Sequence, residues 1–387
     1  MSVKTETRRN IPLLDLKAQY GQIRNEVLTE VTRVLDSQHF ILGDDVQKLE
    51  QQLAAYSGSR FAVGCASGSD ALFLALLAVG VAPGDQVVTT PFSFFATAGA
   101  ISRAHATPVF ADIDPITFNM DVNLLASTIA RHDRVKAIIP VHLFGGCADM
   151  DPLMDIAREH NCAVIEDAAQ AIGAEYKHRR AGSIGNVGCI SFFPSKNLGA
   201  CGDGGMLITN DESLGKKLTA LRVHGGVRKY YHEYIGINSR LDALQAAILR
   251  VKFRYLDSWT EARQENAALY SKLLASVDGL KLPQTQAYQT RHVYNQYVVR
   301  CTNRDHLKTY LQDRGIGSEI YYPLPLHLQP CYSHLCFREG DFPVSEQAAR
   351  EVLALPIHPA LPADAVDYVC DCIRSFYQNT SGPGGIA

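Results

Sequence analysis

Seven short apolar runs between residues 61 and 208, alternating with helical periods, constrain this chain more than any other feature. They fall at 61–63, 86–89, 107–110, 135–139, 163–165, 189–192 and 205–208. Most lack polar alternation, which is the mark of strands covered on both faces. Helical periods such as 70–79 and 151–160 separate the first six. The last two runs lie too close for a helix between them and suit local pairing. The pattern predicts an α/β domain with a mostly parallel, seven-stranded sheet.

Two amphipathic helical stretches, at about 20–35 and 46–56, precede the strands. A long helical pattern starts near Arg240, where Leu241, Leu244, Ile248, Val251 and Tyr255 recur at spacings of three and four. It is expected to run past residue 270 and lead into a smaller C-terminal α/β domain. There the sequence suggests a strand at 293–299, a helix at 304–314, a strand at 318–322 and two closing helices. The expected division is a large cofactor-binding domain at 1–250, a small domain at 251–380 and a flexible tail at 381–387. Two domains also suit a length of 387 residues.

Composition excludes several classes of function. A net charge of −3 gives no basis for binding nucleic acid or an anionic membrane. The longest apolar stretch, 71–82, is about 12 residues where a membrane helix needs about 20. It reads as a buried helix. The first ten residues are charged and have no apolar core, so a soluble, cytoplasmic protein is expected. None of the 10 cysteines forms a C-x-x-C pair, and several sit in apolar runs. They read as reduced core thiols. Cys370-Asp371-Cys372 is too poor a ligand cluster for zinc, and no metal is expected.

Four segments carry chemistry. In Ser191-Phe192-Phe193-Pro194-Ser195-Lys196-Asn197-Leu198-Gly199 a lysine follows a strand and precedes a glycine-rich stretch. A lysine is ordinarily a surface residue. One in an apolar, small-residue setting is desolvated, which frees its amine for imine chemistry. The glycines at 199, 202, 204 and 205 lack the G-x-G-x-x-G order and are no dinucleotide loop. In Val164-Ile165-Glu166-Asp167-Ala168-Ala169-Gln170 a buried strand ends in carboxylates, where open α/β sheets bind ligands. The same aspartate also suits a helix N-cap. Ala66-Ser67-Gly68-Ser69-Asp70 opens a helix, either as a phosphate cradle or as a plain cap. Aromatics in Pro91-Phe92-Ser93-Phe94-Phe95 can stack on a flat ring or pack in a core.

In this order and spacing the segments resemble the DegT/StrS family of nucleotide-sugar aminotransferases. The resemblance covers nearly the whole chain. It also takes in Ile11-Pro12-Leu13-Leu14-Asp15-Leu16, Val141-His142-Leu143-Phe144-Gly145-Gly146, Gly236-Ile237-Asn238-Ser239-Arg240-Leu241-Asp242 and Tyr321-Tyr322-Pro323-Leu324-Pro325-Leu326-His327. It implies a fold type I (aspartate aminotransferase-like) pyridoxal-phosphate enzyme. By that resemblance Lys196 would carry pyridoxal 5'-phosphate as a Schiff base and shuttle the proton. Asp167 would pair with the pyridine nitrogen, Gln170 would lie near the ring, and Phe95 would stack on it. Gly68, Ser69, Asp70 and Ser191 would hold the phosphate. Asn238 would reach the same phosphate from the partner subunit of a homodimer. Tyr322 and His327 would lie near the sugar.

The implied reaction takes an amino group from an amino acid, expected to be L-glutamate, to a keto sugar on a nucleoside diphosphate. Such amino sugars serve polysaccharide or antibiotic biosynthesis. The Asn238 and Tyr322 segments are more similar to members that act on 3-keto than on 4-keto sugars. A 4-keto substrate, a non-transaminating enzyme and a non-catalytic regulatory member are the alternatives. A dehydratase of this fold would carry histidine in place of Lys196.

Overall fold

The structure, a computed structural model, describes residues 9–380. Helices α1 (Leu16–Ser37) and α2 (Asp44–Ser57) come first, with Asp15 accepting from the Ala18 N–H to cap α1. The main sheet takes β1 (Phe61–Cys65), β2 (Gln86–Thr89), β3 (Thr107–Phe110), β4 (Val135–Ile138) and β5 (Ala163–Asp167). After a small hairpin of β6 (Glu175–Tyr176) and β7 (Arg179–Arg180), it adds β8 (Val187–Ser191) and β9 (Gly205–Thr209). All seven expected strands are present, in the order β1-β9-β8-β5-β4-β2-β3. Strands β3, β2, β4, β5 and β8 run parallel. β9 turns back against β8 and also pairs antiparallel with β1, since no helix separates it from β8.

Helices cover both faces of the sheet: α3 (Gly68–Ala78), α4 (Ala96–Arg103), α5 (Val122–Ala130), α6 (Met150–Glu159) and α7 (Glu212–Leu221). The apolar stretch at 71–82 forms most of α3. Ala71, Leu72, Leu74, Ala75 and Leu76 are at most 2% exposed, so α3 is buried on every side. No described helix is long and apolar enough to cross a membrane.

A hairpin of β10 (Gly226–Arg228) and β11 (Tyr231–His232) precedes α8 (Ala243–Phe253) and α9 (Leu256–Leu274). One continuous helix was the expectation here; the structure breaks it at Arg254 and Tyr255. Tyr255 stacks on Trp259 at 5.8 Å and donates its hydroxyl to Glu26 at 2.5 Å. The bond to the distant Glu26 holds the bend, while the apolar spacing runs straight through it.

The second sheet is antiparallel, with β12 (Leu280–Lys281), β13 (Tyr297–Cys301) and β14 (Val352–Leu355). Helices α10 (Arg304–Asp313), α11 (Pro343–Glu351) and α12 (Ala363–Thr380) accompany it. A strand at 318–322 was expected, but that segment makes only an isolated bridge from Glu319 to Ala354. Its place is taken by β14, whose four residues are all buried. Without a polar face, Val352-Leu353-Ala354-Leu355 merges with the helical pattern before it. Near the start of the chain, Ile11 exchanges backbone bonds with Gly315 and Gly317, both 2.8 Å, and joins this second core. The tail at 381–387 lies outside the described residues.

Asp112, just past β3, joins the two sheets. Its carboxylate accepts the N–H groups of Val344 and Ser345, both at 3.0 Å, and the Ser345 hydroxyl at 2.5 Å. It caps α11 from a distant part of the chain, satisfying N–H groups that a helix start leaves open. Asp112→Ala is expected to lower stability by about 2 kcal/mol, the upper range for loss of a cap, measured by chemical unfolding.

Candidate active site

Because β2, β4, β5 and β8 are parallel, their carboxyl ends share one edge, and the candidate residues gather there. Asp167 is the last residue of β5. Its Oδ2 accepts from Thr97 Oγ1 at 2.8 Å and its Oδ1 from the Ala169 N–H at 3.2 Å. Ser93 Oγ lies 3.1 Å from Thr97 Oγ1 and extends the chain of hydroxyls. Burial pushes the Asp167 pKa above the usual carboxylate range, opposed by these bonds and by Lys196. Thr97 is fully buried. Sequence reading missed it, although a threonine three residues after Phe94, inside an apolar helix, was the available signal.

Lys196 sits in the turn after β8, with its N–H bonded to Phe193 O at 2.9 Å. Burial pulls its amine down to about 8, with Asp167 the opposing influence. Acid and amine thus bear on each other's charge, and the amine gives up its proton more readily than that of an exposed lysine. The next residue, Asn197, donates from Nδ2 to Val293 O at 2.9 Å and accepts at Oδ1 from Asn295 Nδ2 at 2.9 Å. Neither asparagine was singled out in the sequence.

The start of α3 lies against the end of β8. A Cβ on Gly68 would come within 2.5 Å of Ser191 Cβ and 2.9 Å of its Oγ, so only glycine admits this approach. Ser67 Oγ caps the helix by accepting the Asp70 N–H at 3.1 Å. The Asp70 carboxylate is drawn to Arg103 at 2.6 Å. Among the described residues, the N–H groups of Gly68 and Ser69 meet no acceptor. They and the Ser191 hydroxyl form an open donor set at a helix N-terminus.

Gln170 links two candidate segments. Its Oε1 accepts the Phe144 N–H at 2.6 Å, and its Nε2 donates to the Tyr322 hydroxyl at 3.2 Å. Phe94 approaches Tyr322 with ring centroids 6.2 Å apart. Phe95 points elsewhere: it packs on Tyr332 at 5.8 Å and along Gly99. The structure therefore does not bring Phe95 to Gln170 and Tyr322, because the turn before α4 rotates successive side chains apart. His327 is buried, with its Nε2 3.1 Å from Glu346 and its ring 4.7 Å from Phe342. Asn238 is exposed, just after the β10–β11 hairpin; Tyr230 in its turn and Ile235 beyond it are 83% and 96% exposed.

Behind Asp167, Glu166 points to the other face of the sheet. It accepts the N–H groups of Gly182, Ile184 and Gly185 at 2.7, 2.7 and 2.6 Å and meets His142 Nε2 at 2.8 Å. His142 Nδ1 accepts from the Ala148 N–H, so Nε2 carries the proton that goes to Glu166. Although burial opposes it, this donor set holds the Glu166 pKa below the usual range. A lowered native pKa contributes stability above the unfolded value, and that contribution disappears as pH falls through the native value. Glu166→Gln is expected to cost about 2–3 kcal/mol at neutral pH, with the gap to wild type closing on acidification in thermal melts.

The arrangement fits pyridoxal phosphate. It offers a buried amine of lowered pKa, a buried carboxylate, an open set of N–H and hydroxyl donors for a phosphate, and exposed aromatic surface at Phe94. Among the described residues no cluster of three His, Cys, Asp or Glu is placed to hold a metal.

Comparison with known proteins agrees with this chemistry. A pleiotropic regulatory protein of Geobacillus stearothermophilus is 50% identical over 371 residues, covering 96% of this chain and 99% of that protein. The UDP-N-acetyl-3-dehydro-alpha-D-glucosamine 3-aminotransferase of Acidithiobacillus ferrooxidans is 44% identical over 364 residues, covering 94% and 97%. The crystal structure of S. venezuelae DesV in complex with a ketimine intermediate superposes with a TM-score of 0.93 at 42% identity, covering 95% and 99%. The DegT/DnrJ/EryC1/StrS aminotransferase family matches residues 21–374. The chain belongs to the DegT/DnrJ/EryC1/StrS aminotransferase family.

Proposed function

We propose that this chain transfers an amino group from L-glutamate to carbon 3 of a keto sugar carried on a nucleoside diphosphate, a 3-keto-6-deoxy sugar that leaves as a 3-amino sugar. Its family makes it a pyridoxal-phosphate-dependent nucleotide-sugar aminotransferase. The observation that carries the chemistry is the desolvated Lys196 amine opposed to the buried Asp167 carboxylate. Carbon 3 is favoured by the 44%-identical relative, named for a 3-dehydro sugar. The cytoplasm is its proposed location.

When bound, pyridoxal phosphate supplies an electron-withdrawing ring that takes up the electron pair left by a broken C–H bond. Lys196 would hold it covalently, and its neutral amine, once free, would take the proton from the donor's α-carbon and hand it on to the carbon across the nitrogen. Asp167, oriented by Thr97 and the Ala169 N–H, balances positive charge on the ring nitrogen. The N–H groups of Gly68 and Ser69, with Ser191 Oγ, receive the phosphate, while Asp70 steadies the helix start through Arg103. Phe94, rather than Phe95, is the aromatic proposed to cover the ring. Gln170 orients Tyr322 toward the sugar, and His327 braces that segment through Glu346.

A homodimer accounts for the exposed hairpin. Asn238 would reach the partner's phosphate group, and Tyr230 and Ile235 would be covered. The hairpin also carries Arg228 and Lys229, stacked on Tyr231 and Tyr230, as cations suited to a diphosphate. A regulatory role is the second reading, favoured by the name of the 50%-identical relative.

The test is the absorption spectrum with pyridoxal phosphate. A visible band that bleaches with glutamate is expected for the wild type, and no covalent band for Lys196→Ala. A protein that binds no cofactor overturns the enzymatic reading in favour of the regulatory one. Turnover of a 4-keto but not a 3-keto nucleotide sugar would move the reaction to carbon 4.

Two further outcomes are expected. Asp167→Asn should slow the glutamate half-reaction roughly 100- to 1000-fold in stopped flow, as the charge opposite the ring is lost. Since the Lys196 amine must be neutral, the half-reaction should rise about tenfold per pH unit below about 8 and level off above it.

A further inference from the structure

A hydrogen-bonded path joins the two ends of the site through a segment that belongs to neither. It starts at the Tyr322 hydroxyl, passes through Gln170 to the Phe144 N–H, and enters the loop at 143–146. There Val293 N donates to Gly145 O at 3.0 Å and Gln296 N to Phe144 O at 3.3 Å. From 293–296 it returns to the lysine turn, since Val293 O accepts from Asn197 Nδ2 and Asn295 Nδ2 donates to Asn197 Oδ1. Glycine makes the middle of this path possible. A Cβ on Gly145 would lie 2.9 Å from Asn295 N, and one on Gly146 would lie 2.7 Å from His292 Cδ2.

The segment is anchored from behind by Arg263 of α9. Its Nη1 donates to Tyr294 O at 3.1 Å, Asn295 O at 3.5 Å and Ile357 O at 2.9 Å, and the residue is 2% exposed. The lysine turn is otherwise held by its own closing bond from Lys196 N to Phe193 O, by Ala200 N bonded to Phe192 O, and by Lys252 Nζ donating to Gly199 O at 2.6 Å. Asn295 is 6% exposed, yet its Oδ1 has no partner in the structure. A buried amide left half satisfied is costly, so its burial serves the one bond it does make.

We infer that Asn295 is a positioning residue for Lys196, acting through Asn197. Its side chain bonds Asn197 and not Lys196 itself. It sets where the backbone of the lysine turn stands relative to Asp167 and Gln170, and so where the amine points. The lysine and the Tyr322 end of the site then share one support, the segment 293–296. This rests on Lys196 being the cofactor lysine.

The experiment uses the enzyme loaded with pyridoxal phosphate. Asn295→Leu keeps the volume and removes the donor; Asn295→Ala serves if that variant does not fold. The pH titration of the lysine-linked visible band and the glutamate half-reaction are measured for wild type, Asn295→Leu, Asn197→Ala and the double variant. Asn295→Leu is expected to displace the titration midpoint and slow the half-reaction about tenfold or more, with the half-saturating glutamate concentration unchanged. The double variant should be no slower than the worse single one, since both act through one bond. A lowered melting temperature with an unchanged midpoint and rate would overturn the inference and leave a structural role. Additive losses in the double variant would overturn the action through Asn197. A wild type that forms no lysine-linked band would instead sink the reading of Lys196 itself.

Discussion

Close backbone contact around β9 is the constraint on which the rest of the site depends. β9 returns antiparallel beside β8, and the chain that carries it back must pass both the lysine turn and the start of α3. Side chains cannot fit at those crossings. A Cβ on Gly199 would sit 2.2 Å from Pro194 O, and one on Gly205 would sit 2.4 Å from the Ser67 carbonyl. A Cβ on Gly68 would meet Ser191. Glycine at these three places lets a lysine, a helix N-terminus and a serine hydroxyl converge on one small volume.

Burial then acts in opposite senses on the two charged groups brought there. It disfavours the charged form of both, lowering the amine of Lys196 and raising the acid of Asp167, while each partly restores the other. The amine is thereby easier to deprotonate than that of an exposed lysine. Asp167 keeps its orientation through Thr97 and the Ala169 N–H, and Glu166 behind it is locked by three backbone N–H groups and His142. Adjacent carboxylates on one strand thus serve two faces of the sheet: one ties down the loops behind it, and the other faces the open edge.

Much of this was legible from residue order. The seven apolar runs yielded the seven strands, and the short link between the last two foretold their local pairing. Lys196, Asp167, Ser191 and the Gly68–Ser69 helix start could be picked out because strand ends and helix starts have local signatures. The break at Tyr255, the strand at 352–355 and the roles of Thr97, Asn197 and Asn295 could not. Each depends on a partner far away in sequence: Glu26 for the break, β13 for the strand, Asp167 for the threonine, and for Asn197 and Asn295 each other. Phe94 and Phe95 illustrate the same limit, since adjacent aromatics look alike until the turn before α4 sends them to different neighbours.

The sequence by itself determined the α/β architecture and the strand count, because periodicity is a local consequence of backbone geometry, and it pointed to the family's chemistry through the motifs that resemble that family. Only the tertiary structure decided which side chains meet. It turned Phe95 onto Tyr332 and His327 onto Glu346, put Asp112 at the start of α11, and routed support for Lys196 through 293–296. The physical reason is that hydrogen bonds and desolvation act over a few ångströms in space, whatever the distance along the chain.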